Sequence, residues 1–133
     1  MSSTLKLKAS DIMKKAVSAM PNIKIKDAAK LMDENSIGCV VVTSPEDKVI
    51  GIFTERDLTR IVANDIPLDK SLGDVMTKNP WTAKESDSIS KVVTLMYEKG
   101  IRHLPVVDSE GRLKGLILVR DLTGILTRLT SYE

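Results

Sequence analysis

The sequence predicts an α+β fold in which one βαββα unit is written twice. Three observations carry that prediction. The 133-residue chain superposes on itself, each copy contains apolar residues at helical spacing, and each then sets short β-branched runs between polar turns.

The superposition is continuous and ungapped at a shift of 64, which places Ile25 on Ile89, Leu31 on Leu95, Met32 on Met96, Ile37 on Ile101, Gly51 on Gly115 and Asp57 on Asp121. Near the start of each copy, Asp11-Ile12-Met13 falls on Asp74-Val75-Met76 at a shift of 63, so the second copy carries one extra residue before Ile89.

The first helix of each copy follows from three- and four-residue spacing: Ile25, Ala28, Leu31 and Met32 in one, Ile89, Val92, Val93, Leu95 and Met96 in the other. Asp27 and Asp87 suit the helix N-termini, and Gly100 suits a C-terminal stop. Val40–Thr43 and Leu104–Val107 are too continuously apolar for a strand with one wet face, so both are expected to be buried. Polar turns at 44–47 and 108–111 lead into second strands, Val49–Phe53 and Leu113–Val119, making each pair a hairpin. A second helix starts around Glu55 and around Arg120, carrying Leu58, Ile61 and Val62 or Leu122, Ile125 and Leu126. The expected boundaries are 8–63 for the first repeat, 64–71 for the proline-containing linker and 72–129 for the second repeat. A half of this size buries a modest core, so the sheets of the two copies are expected to pack face to face with pseudo-two-fold symmetry.

Composition excludes several functions. Aromatic residues are 3% of the chain, leaving few rings for stacking on bases, and the net charge of +2 arises from 20 basic and 18 acidic residues mixed along it. Both weigh against nucleic acid. One His, one Cys and no paired carboxylate motif argue against an enzyme, and without a Cys/His cluster no metal is expected. Cys39, inside the apolar run 38–42, is expected to be a buried thiol. The start of the chain lacks a signal peptide's apolar stretch, and no segment approaches the ~20 apolar residues that span a bilayer. A cytoplasmic protein with no membrane contact is the expectation.

Four groups of residues carry a family resemblance: Ile101-Arg102-His103-Leu104-Pro105-Val106-Val107-Asp108, Gly115-Leu116-Ile117 leading to Arg120-Asp121-Leu122, Gly51-Ile52-Phe53-Thr54-Glu55-Arg56-Asp57-Leu58, and the Asp-Ile-Met and Asp-Val-Met openings. Over nearly its whole length the chain resembles the CBS (cystathionine β-synthase) domain family, in which tandem copies form a pseudo-symmetric pair called a Bateman module. The resemblance implies a regulatory module that binds an adenosine-containing ligand (AMP, ADP, ATP or S-adenosylmethionine) in clefts between the copies, with no cofactor required. It also implies a homodimer. Since the chain ends soon after the second repeat, a stand-alone module signalling in trans to an unidentified effector protein is expected.

The family pattern that closes a strand and opens a helix is present as Gly51, Thr54 and Asp57, and the resemblance implies that its aspartate holds the ribose hydroxyls. A carboxylate accepts two hydrogen bonds from a vicinal diol, and the backbone N–H groups beside Thr54 suit an anion. Read locally, Thr54 is equally a helix N-cap and Asp57 a favourable first-turn acid. The repeat and the resemblance favour the ligand role. Arg102 and His103 are implied to reach the phosphate of the same ligand, with Arg120 beside them; the plainer reading makes them solvated side chains. Ala16, Val17, Ser18 and Ile37 are implied on the adenine side, although core packing explains them as well.

The second copy keeps Gly115 and Asp121 but has Leu118 at the hydroxyl position, and its cleft, with Arg56 beside Asp121, would face the uncharged Gly38 and Cys39. Weaker binding there, or an uncharged nucleoside, is the expectation. The competing reading is a nucleic-acid-binding or structural partner protein whose clefts are vestigial, for which Lys6, Lys8, Lys14 and Lys15 supply a basic lean.

Overall fold

The computed structural model describes residues 6–130, and side chains as far as residue 125. In the first copy lie α1 (Ala9–Ile12), β1 (Ser18–Ala19), α2 (Ile25–Asn35), β2 (Cys39–Thr43), β3 (Val49–Thr54) and α3 (Glu55–Ala63). The second copy holds a short 3-10 turn (Leu72–Asp74), β4 (Thr77–Lys78), β5 (Ala83–Lys84), α4 (Ile89–Lys99), β6 (His103–Val107), β7 (Leu113–Leu118) and α5 (Val119–Thr130). The fold is the expected α+β arrangement of two βαββα units.

Local chemistry explains the element ends. Helices α2 and α4 bury the expected stripe, Ile25, Ala28 and Met32 in one and Ile89, Val92 and Met96 in the other. Both stop on a left-handed residue, Ser36 at φ 50° and Gly100 at φ 61°, whose N–H groups return to carbonyls of the last turn. Asp27 caps α2 by accepting the Lys24 N–H at 3.2 Å. Asp87 accepts the Lys84 N–H at 2.9 Å just before α4, where Ser88 is the cap. Strand β2 is buried at every position, as its unbroken apolar run requires.

The chain divides into two compact units whose membership cuts across the copies. One comprises residues 16–80 with 111–113. Its sheet runs β1-β2-β3-β4, with β1 parallel to β2 and the other pairs antiparallel, including Ile52 on Thr77. Beneath it Ile25, Ala28, Met32, Val40, Val42, Phe53 and Ile61 form a core that also contains Leu72. The turn at 111–113 joins this unit through the Val49 N–H to the Gly111 carbonyl at 3.1 Å and the Leu113 N–H to the Asp47 carbonyl at 2.9 Å.

The described part of the other unit comprises residues 6–15, 81–110 and 114–130. Its sheet runs β5-β6-β7, and Lys14 extends it by exchanging two 2.8 Å hydrogen bonds with Leu116. Ala83, Val92, Met96, Leu104, Val106, Ile117 and Leu122 form its core, with Ala9 wholly buried among them. Met13 lies over Gly115 so closely that a Cβ there would sit 2.7 Å from its sulfur, which explains a glycine at that position.

Ala9 and Leu72 correspond at the shift of 63. Each therefore enters the core built mainly by the other copy, and the opening segments are exchanged between units.

Candidate functional site

At the end of β3, Thr54 and Asp57 close on each other. The Thr54 N–H donates to Asp57 Oδ2 at 2.9 Å, the Thr54 hydroxyl donates to the same oxygen at 3.2 Å, and the Asp57 N–H donates back to Thr54 Oγ1 at 3.3 Å. This is a reciprocal capping box at the start of α3, so the local reading of both residues holds. Asp57 is 8% exposed, and its second oxygen, Oδ1, meets Arg60 Nη1 at 3.4 Å. Three of roughly four carboxylate acceptor positions are taken, which leaves one on Oδ1. Arg60 was not among the expected residues, though its place three positions along the helix from Asp57 is the signal that identifies it.

The equivalent junction at β7 and α5 is built differently. Leu118 has no hydroxyl to cap the helix, and among the described residues Asp121 Oδ2 is a buried side-chain oxygen that accepts no hydrogen bond. Its Oδ1 pairs with Lys14 Nζ at 3.3 Å. Lys14 carried no expected role as a carboxylate partner, because only the exchange of the opening segment brings it there.

Of the remaining expected residues, Ala16, Val17, Ser18, Ile37, Gly38 and Arg56 share the unit of Thr54 and Asp57. Ser18 pairs with Val41, and the Val17 carbonyl accepts the Val41 N–H at 2.9 Å, so this segment is the edge of the sheet next to β2. Ile37, Ala16 and Val17 are half-buried, whereas Arg56 is exposed. Arg102, His103 and Arg120 belong to the unit of Asp121; both arginines are exposed and His103 is half-buried. The Arg102 carbonyl accepts the Val119 N–H at 3.0 Å, tying the start of β6 to the start of α5. In the other unit the Gly38 carbonyl accepts the Glu55 N–H at 3.0 Å, the same bond one repeat earlier.

The Glu55 side chain folds over Gly38 into the space a Cβ would take. Cys39 beneath it is buried, and its thiol is pushed up from 9.0 to about 12 by burial first and by the Glu55 charge second. A thiol so held is inert near neutral pH. Among the described residues no group of three or more His, Cys, Asp or Glu side chains is arranged to hold a metal ion, and no helix is long and apolar enough to cross a membrane.

The family model described as CBS domain matches residues 9–64 and again 72–128. An uncharacterized 17.7 kDa protein of Acidianus ambivalens is 37% identical over 109 residues, covering 80% of this chain and 64% of its own length. The inosine-5'-monophosphate dehydrogenase of Methanocaldococcus jannaschii is 35% identical over 84% of this chain, which spans 22% of that enzyme. Among solved structures, a CBS domain protein from Pyrobaculum aerophilum complexed with AMP superposes with a TM-score of 0.85 at 27% identity, covering 94% of this chain and 99% of the other. The CBS domain pair of protein MJ0100, in complex with 5'-methylthioadenosine and S-adenosyl-L-methionine, gives 0.84 at 28% identity over 91% and 96%.

Proposed function

The chain belongs to the CBS domain family, with two copies in tandem, and on that premise we propose that it is a regulatory module that binds an adenosine-containing ligand and signals to a partner protein. The observation that carries the reading is the Thr54–Asp57 junction: a buried aspartate, held rigid by three hydrogen bonds at the end of a strand, with one acceptor position left. Two relatives of the same fold, complexed with AMP and with S-adenosyl-L-methionine, support the choice of ligand class. In this reading Asp57 accepts a ribose hydroxyl at its remaining position, Arg102 and His103 meet the phosphate, and Ala16, Val17, Ser18 and Ile37 line the adenine.

Such a module performs no chemistry on its ligand. Its output is a population shift, and the shift is limited by how much better the ligand binds one arrangement of the protein than another. A homodimer gives that shift a surface on which to act. Calorimetric titration with AMP, ADP, ATP and S-adenosylmethionine tests the proposal. At least one should bind and, at a hundredfold excess over its Kd, stabilise the fold by about 2.7 kcal/mol. No heat and no thermal shift with any of the four refutes it.

A further inference from the structure

Each repeat aspartate carries one cation on Oδ1, but the two cations come from different elements. At Asp57 the cation is Arg60, on the same helix, and the residue corresponding to Arg60 in the second copy is Gly124, which has no side chain. At Asp121 the cation is Lys14, on the segment bonded to Leu116. The residue corresponding to Lys14 is Thr77, paired with Ile52 and uncharged. The counter-ion has moved from the helix to the exchanged opening segment.

The oxygens differ as well. Thr54 fills Asp57 Oδ2 with two bonds, whereas among the described residues Asp121 Oδ2 is sealed from solvent without one. Any hydroxyl arriving from solvent at Asp121 must therefore use Oδ1, the atom Lys14 already holds at 3.3 Å. Asp121 keeps 26% of its side chain exposed and Lys14 44%, so the pair is open to competition.

We propose that Lys14 sets the charge selectivity of the Asp121 end. Lys14 takes one of about two acceptor positions on Oδ1, so a neutral diol that bonds through both hydroxyls must take the ammonium's place and leave that cation without a partner. A ligand that also carries an anionic group, such as a phosphate, gives the displaced ammonium a new partner, and its three N–H donors suit either oxyanion. The proposal rests on the adenosine-ligand reading above and adds the ligand's charge to it, in the direction opposite to the uncharged nucleoside that the sequence implied. A half-exposed ion pair of this type opposes a neutral competitor by up to about fivefold.

The test is calorimetric titration of adenosine and of AMP into the Asp57→Ala protein, where the Asp121 end is read alone, with Lys14 intact, as Lys14→Met and as Lys14→Arg. With Lys14 intact, AMP binds more tightly than adenosine; Lys14→Met lowers that preference by up to about fivefold, chiefly by tightening adenosine, and Lys14→Arg preserves it. Lys14→Gln gives the same reading if the Met variant does not fold. An unchanged preference in Lys14→Met, or in Lys14→Gln, overturns the proposal. So does the absence of any binding to Asp57→Ala when the wild-type protein binds. If the wild type binds neither ligand nor any of the four titrated above, the functional reading fails and the proposal falls with it.

Discussion

Replacing Thr54 with alanine removes two of the three hydrogen bonds at the β3–α3 junction, the hydroxyl to Asp57 Oδ2 at 3.2 Å and the Asp57 N–H to Oγ1 at 3.3 Å. The third, from the Thr54 N–H, survives because it is a backbone donor. Loss of a threonine cap costs about 1 kcal/mol, within a range of roughly 0.5 to 2. In a chain of 133 residues that corresponds to a fall in Tm of about 4 °C. Thermal unfolding followed by circular dichroism measures it, with Thr54→Ser as the control that keeps the hydroxyl and stays within about 1 °C of the wild type. In the second copy the reverse change is also expected to destabilise. Leu118 is 5% exposed, and burying a leucine contributes roughly 1.5 to 3 kcal/mol, more than the cap that Leu118→Thr would install. That variant should therefore lose about 1 kcal/mol on balance. A Thr54→Ala protein that melts with the wild type, or a Leu118→Thr protein that gains stability, refutes the reasoning.

Ser36 and Gly100 end equivalent helices in the same left-handed conformation, so Ser36→Gly should stabilise the protein by about 0.5 kcal/mol and Gly100→Ala destabilise it by about 1 kcal/mol, both by urea unfolding. Nothing lies within 4 Å of the Cβ that Gly100→Ala would add, which leaves backbone strain as its sole cause. Cys39 should resist a thiol reagent at pH 8 until the chain unfolds, since its thiol is pushed up to about 12. The linkage has a definite sign: a folded pKa above the unfolded value means the native state holds its proton longer, so this contribution is intact below about pH 9 and lost as pH rises toward 12. Cys39→Ala should flatten that alkaline fall in stability.

Much of the fold was legible because it is repetitive. Hydrophobic spacing gave α2 and α4, and the unbroken Val40–Thr43 run marked β2 as buried. The exchange of Ala9 and Leu72 was not legible, since self-similarity states which segments are equivalent and is silent about which core each one enters. The same gap hid the partner of Asp121. Lys14 is more than 100 residues away in sequence, and no local spacing relates the two. Thr54 and Asp57, by contrast, were legible as a cap by local chemistry, while the family pattern offers them a second reading as a ligand pair. Their hydrogen bonds are those of a cap, and the proposed ligand role uses the remaining acceptor position of the same carboxylate.

Titration of AMP into Asp57→Ala and Asp121→Ala, beside the wild type, decides whether the two repeat aspartates are unequal. Asp57→Ala should abolish the tighter binding event while Asp121→Ala leaves it largely intact. Equal losses from the two substitutions would contradict that inequality.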